Sequence, residues 1–156
     1  IESYGYAIMP STLRLNSGAF LSIIRRGGFF DGTKRWWLEA FLSADDGKSW
    51  HALKEPYIDN FGNPAHMIRL KDVRIALTYG WRKPSFFGVR AKISNDDGVT
   101  WGDEFVVRGD GDVWDLGYPR TVQRPDGMCV SVYYFKDKSG KERHIAATIW
   151  NPGLKE

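Results

Sequence analysis

The chain of 156 residues has a single cysteine, Cys129, so no disulfide can form within it; set in a β-type run, that cysteine reads as a small core residue. No apolar run is long enough to span a membrane and no secretory signal is expected, so no membrane partner is expected and the compartment stays open. The first residue is Ile1 rather than methionine, which leaves open whether the sequence is processed or is a piece of a longer one. No long stretch carries a helical period, which argues against a helical bundle or an α/β fold. Charge of one sign is nowhere concentrated: 22 Lys and Arg against 19 Asp and Glu give a net +3, spread along the chain. That distribution argues against a nucleic-acid partner and is compatible with a carboxylated sugar. HExxH, Cys/His metal spacing, a P-loop and GxGxxG are all missing, so no metal and no cofactor is expected.

What is present is aromatic and turn-rich: 7 Trp, 7 Tyr, 9 Phe and 17 Gly, the composition of short strands joined by many turns. Within it, one stretch occurs twice. Ser43-Ala44-Asp45-Asp46-Gly47-Lys48-Ser49-Trp50 returns as Ser94-Asn95-Asp96-Asp97-Gly98-Val99-Thr100-Trp101, and both fit S-x-D-x-G-x-[S/T]-W. From 43 to 94 the spacing is 51 residues, a fixed period that marks stacked supersecondary units. Each residue type has a reason. Asp45 and Asp96 bond backbone N–H groups one or two residues on, Gly47 and Gly98 supply positive φ, the Ser or Thr hydroxyl ties the exit strand, and Trp50 or Trp101 covers the turn with a large ring. These residues, with Ser43 and Ser94, are therefore assigned to folding.

The repeat divides the chain into three units, at about 1–60, 61–112 and 113–156, within one domain. The first is expected to run through strands Met9 to Leu15, Phe20 to Arg26, Trp36 to Leu42 and Trp50 to Leu53, with a loop at Gly27-Gly28. The second repeats the plan from His66 to Val107, and Val73 stands where the other two units have Gly18 and Gly127; a β-branched residue in that turn is strained. The third has strands from Gly117, Met128 and Arg143 and no fourth. Four antiparallel strands in about 45 residues is the size of a propeller blade, and three blades do not close a ring. Two completions are open: more of the same chain, or a homodimer of half-propellers in which Ile1 to Tyr6 of one copy supplies the outer strand missing from the third blade of the other.

With the blades placed, the twin turns resemble the Asp box of the sialidase superfamily. The runs Gly62 to Leu70, Gly88 to Ser94, Asp115 to Arg120 and His144 to Trp150 resemble the second half of BNR-repeat, sialidase-like glycoside hydrolases, a likeness running from about Tyr6 to Pro152. The resemblance implies an all-β, six-bladed propeller of which this is half, with the Asp boxes on the outer rim. It also implies a tyrosine nucleophile assisted by a glutamate, an aspartate acid/base and arginines that clamp a carboxylate. By position, Tyr118 matches the nucleophile, nine residues before Gly127. Asp115 and Arg120 flank it, Arg25 and Arg82 are placed as clamp arginines, and His66 on an inner strand is a further substrate-contact or acid/base candidate. The sequence departs from the pattern at Pro64, where the glutamate is expected, since proline cannot act as a base. Three readings are therefore carried forward: an exo-glycosidase-type half-propeller, complete only on assembly or within a longer chain; a non-catalytic carbohydrate- or protein-binding propeller; and an inactive fragment whose only property is assembly.

Overall fold

The computed structural model describes residues 7–153 apart from Asp31, Gly62, Ser85 and Lys141, and these form strands with no helix among them. In chain order the strands are β1 (Ala7–Arg14), β2 (Phe20–Phe30), β3 (Thr33–Ser43), β4 (His51–Ala52), β5 (Ala65–Arg69), β6 (Ile75–Trp81), β7 (Phe87–Ser94), β8 (Phe105–Gly111), β9 (Gly117–Gln123), β10 (Cys129–Phe135) and β11 (His144–Trp150). They make three antiparallel meanders: β1 to β4, β5 to β8 and β9 to β11. Side chains alternate between the two faces of each sheet, and the sheets stack so that β1 meets β5 and β5 meets β9. The third sheet has three strands among the described residues, as the sequence predicts. The segment expected to complete it, Ile1 to Tyr6, lies outside the described residues.

Two boundaries differ most from expectation: the last strand of the second unit runs over Phe105–Gly111 rather than ending at Val107, and the first hairpin turns elsewhere. Gly27 and Gly28 do not form a loop; they lie inside β2, paired with Trp36 and Arg35, and the hairpin turns further on, before Thr33. Gly27 is there for space rather than for turning: a Cβ on it would come within 2.3 Å of the Trp36 ring.

Two apolar seams hold the sheets together. The first joins Leu21, Ile23, Leu38 and Ala40 of the first sheet to Ala65, Met67, Ile75, Leu77 and Tyr79 of the second. The second joins Leu70, Ala76 and Ala91 to Cys129 and Trp150, and continues through Val89, Tyr133 and Phe135. Each fully buried Leu or Ile contributes about 1.5–3 kcal/mol. Several polar side chains caught in the seams bridge the sheets. Ser11 Oγ accepts the Met67 N–H at 2.9 Å across the first. In the second, Trp150 Nε1 donates to Ser131 Oγ (2.9 Å), Ser131 and Thr121 share a bond of 2.7 Å, Thr121 and Thr78 one of 2.8 Å, and Thr78 Oγ1 donates to the His66 carbonyl at 3.3 Å.

The two Asp boxes are superimposable in their bonding. Asp45 accepts from the Ser43 hydroxyl (2.8 Å), the Ser49 N–H (2.9 Å) and the Ser49 hydroxyl (2.6 Å), and Asp96 does the same with Ser94 (2.8 Å) and Thr100 (2.8 and 2.5 Å). The backbone bond thus reaches four residues on, not one or two as the turn chemistry suggests. Gly47 and Gly98 take φ of 85° and 89°, and the Trp50 and Trp101 indoles donate to their carbonyls at 3.1 and 3.2 Å. The Ser49 bonds, with that of Ser43, hold the Asp45 carboxyl down at about 2. Val73 does adopt φ of 70°, the strained conformation its place in the repeat predicts.

Candidate functional site

The three inner strands begin at one end of the molecule, opposite the Asp boxes. Met9, Pro64 and Tyr118 occupy equivalent places in the repeat there and line one cavity of about 240 Å³ together with Pro10, Ala65, Pro119 and Arg120. Met9 and Tyr118 both take positive φ, 55° and 54°, at these starts. Pro64 cannot, since its ring fixes φ negative, and it puts an apolar ring where a carboxylate is expected.

Asn63 fixes the mouth. Its Nδ2 donates to the Leu116 carbonyl at 2.5 Å and its Oδ1 accepts the Tyr118 N–H at 3.2 Å, so the second sheet grips the segment that leads into β9. Gly80 and Gly117 are glycines because a Cβ on either would come within 2.3 Å of this amide. Asn63→Ala leaves a buried N–H and a void, and is expected to cost about 2–3 kcal/mol in a chemical-denaturation experiment. A change under about 0.5 kcal/mol would show that the clasp is not needed.

Arg82, buried, sits beneath the same segment. Its Nε and Nη2 donate to the Leu116 carbonyl (3.1 and 3.0 Å), Nη2 also donates to the Tyr134 hydroxyl at 3.0 Å, and the guanidinium lies 5.4 Å from the Trp114 ring and 5.7 Å from that of Tyr118. Tyr134 in turn donates to Asp115 Oδ1 at 2.6 Å, while Asp115 Oδ2 pairs with Arg143 at 3.0 Å. Burial, then the bond to Asp115, push the Tyr134 phenol up to about 12, so it is protonated at neutral pH. The rings of Tyr118 and Tyr134 lie 5.7 Å apart, tilted by 33°. Tyr118, Asp115 and Arg82 therefore converge as their sequence positions suggest, but the phenol hydrogen-bonded to the carboxylate is that of Tyr134. Sequence reasoning missed it because its position follows from an irregularity in the β9–β10 register between Val132 and Tyr134, which carries no local signature.

Arg82 also lines a larger cavity, of about 500 Å³, with Arg25, Trp36, Phe61, Phe87 and Trp114. Arg25 stacks 4.9 Å from the Trp36 ring, whereas its neighbour Arg26 turns to the other face of the sheet and pairs with Glu39 at 3.7 Å. Arg120 is exposed at the smaller cavity. His66 is not at the mouth: its Nδ1 accepts the Thr121 N–H at 3.1 Å, binding the second sheet to the third and placing the ring proton on Nε2.

Burial, and secondarily the charge of Arg120, lower the His66 pKa below its ordinary value. The unfolded chain then binds a proton more readily than the folded one, so the contribution is fully present above about pH 6.5 and is lost as pH falls through the depressed folded value. Thermal melts of the wild type are expected to drop between pH 7 and 5 more steeply than those of His66→Gln. Parallel curves would remove His66 as the cause.

Sheets stacked side by side along their inner strands, with Asp boxes at one end and a polar and aromatic mouth at the other, define a β-propeller. Among solved structures the chain is similar to a Dyadobacter fermentans protein of unknown function, at 30% identity over 97% of this chain and 40% of that one, with a TM-score of 0.74. It is also similar to the Penicillium chrysogenum α-L-arabinanase complexed with arabinobiose (14% identity, 97% and 51% of the chains, TM-score 0.72). A third likeness is to the GH93 α-L-arabinofuranosidase of Fusarium graminearum (14% identity, 94% and 47%, TM-score 0.62). At 14% identity the likeness to the arabinanase and the arabinofuranosidase establishes the fold, and the chain spans about half or less of the length of all three structures. No protein-family model and no curated protein sequence matches the chain.

Proposed function

We propose that the chain forms one side of a saccharide-cleaving cleft of the glycoside hydrolase type, with Asp115, Tyr134 and Tyr118 at its reacting end. The observation that carries this is the chain of bonds from Arg82 to Tyr134 to Asp115 beneath exposed aromatic rings. A phenol held between a guanidinium and a carboxylate is set to lose its proton to the carboxylate as its oxygen bonds to a cationic anomeric carbon, the arginine offsetting the negative charge that builds on that oxygen until the new bond forms; attack of water on the same carbon then releases the sugar, and the carboxyl gives the proton back to the phenol oxygen. The proton for the departing sugar oxygen comes from a second acid across the mouth. Arg25 and Arg82 open on a cavity with Trp36 and Trp114, a combination suited to a sugar ring bearing a carboxylate, while Arg120 lines the smaller cavity beside Tyr118.

Pro64 favours a second reading, a propeller that binds saccharide without cleaving it. A panel of aryl glycosides, including a sialoside and an α-L-arabinofuranoside, separates the two when read alongside calorimetric binding of the corresponding sugars. Turnover abolished by Asp115→Asn supports the first reading. Binding without turnover supports the second, and neither binding nor turnover overturns both.

A further inference from the structure

The outward faces of the first and third sheets have the features of two halves of one more sheet-to-sheet seam. Turned away from the second sheet, β9, β10 and β11 present Val122, Val130, Val132, Ile145, Ala147 and Ile149, and of these Ile145 is 74%, Val122 63% and Ile149 56% exposed. On the second sheet the equivalent positions, among them Ile68, Ala76, Ala91 and Ile93, form the face that the third sheet covers. A contiguous apolar sheet face of this kind marks an interaction surface.

The first sheet carries the complementary signs. On the face that the third sheet buries against the second, Thr121 and Ser131 are hydrogen-bonded at 2.7 Å; at the equivalent places on the outward face of the first sheet, Thr12 and Ser22 make the same bond at 2.9 Å. The Asp boxes tell the same story. Trp101 is 8% exposed, within the seam formed with the first sheet, and Gly98 lies so close to Leu21 that a Cβ would approach its side chain to 2.4 Å. Trp50 is 41% exposed and a Cβ on Gly47 would meet only Trp50 itself, at 3.9 Å. By the repeat, the residue that would stand to Gly47 as Leu21 stands to Gly98 is Val130, on the outward face of the third sheet.

We propose that a second copy of this chain occupies these faces, the third sheet of each copy seated on the first sheet of the other about a two-fold axis. The seam so formed continues the two within the chain: Val130 and Val132 of one copy meet Gly47, Trp50 and the Thr12–Ser22 pair of its partner. A closed two-fold arrangement uses each face once and leaves neither open.

Sedimentation equilibrium of the purified chain tests this. A species of twice 17.8 kDa is expected at micromolar concentration. Ile149→Lys and Thr12→Lys, both exposed in the single chain, each put an unpaired charge into the seam and are expected to weaken the dimer at least roughly 100-fold. Val99→Lys, on the exposed turn of the second Asp box, leaves it intact. A chain that stays monomeric overturns the proposal and leaves the faces to further blades that are not a second copy. A dimer weakened by Ile149→Lys but indifferent to Thr12→Lys also overturns it, since that is third sheet against third sheet.

Discussion

Tyr134→Phe is expected to lower turnover of a cleaved aryl glycoside by about 100-fold or more, whereas Tyr118→Phe changes it by only a few-fold. Both substitutions keep the ring, and therefore the tilted ring contact at 5.7 Å between the two residues. What Tyr134→Phe removes is the oxygen that donates to Asp115 and accepts from Arg82, so the reaction loses both its nucleophilic oxygen and the proton passed to Asp115. The Tyr118 hydroxyl has no such pair of bonds among the described residues. Folding is a separate readout: Arg82 keeps two bonds to the Leu116 carbonyl in either variant, and melting temperatures of the two should stay close. The reverse order of activities would return the nucleophile's role to Tyr118, the residue whose sequence position first suggests it.

The second large effect concerns stability. Trp101→Ala is expected to cost about 3–5 kcal/mol of unfolding free energy, the range for removing a large buried aromatic side chain and leaving a void. Trp50→Ala, the same substitution at the equivalent place in the repeat, is expected to cost under about 1 kcal/mol in a chain held monomeric by Ile149→Lys, because its ring is exposed there. The comparison isolates the neighbouring sheet, since both indoles make the same bond to a glycine carbonyl three residues back. Equal costs would show that the tryptophans act within their own turns and not on the next sheet.

Much of the architecture was legible before any coordinates. The twin Asp boxes gave the period, the period located the three meanders, and the turn at Val73 declared its strain by departing from Gly18 and Gly127. The Gly27-Gly28 pair misled because the need for positive φ and the need for empty space select the same residue, and only the position of the Trp36 ring tells them apart. At the mouth, Tyr118, Asp115 and Arg82 could be placed because they stand at strand ends that the repeat defines. Asn63 and Tyr134 could not. Asn63 works by bonds to residues 53 and 55 positions away, and the reach of Tyr134 depends on a slip in register; neither leaves a pattern in its own neighbourhood. His66 shows the converse: its strand was read correctly, but a backbone N–H of the next sheet had already claimed its Nδ1.

The hydroxyls between the second and third sheets have a built-in direction. An indole nitrogen can only give a proton and a carbonyl oxygen can only receive one, so with Trp150 at one end and the His66 carbonyl at the other, each hydroxyl hydrogen between them is left one way to point. Ser131 gives to Thr121, Thr121 to Thr78, and Thr78 to the backbone of β5. The three side chains form a one-way relay of dipoles, aligned from the outermost strand of the third sheet to the innermost strand of the second, and reversing any single link would set two hydrogens or two lone pairs against each other.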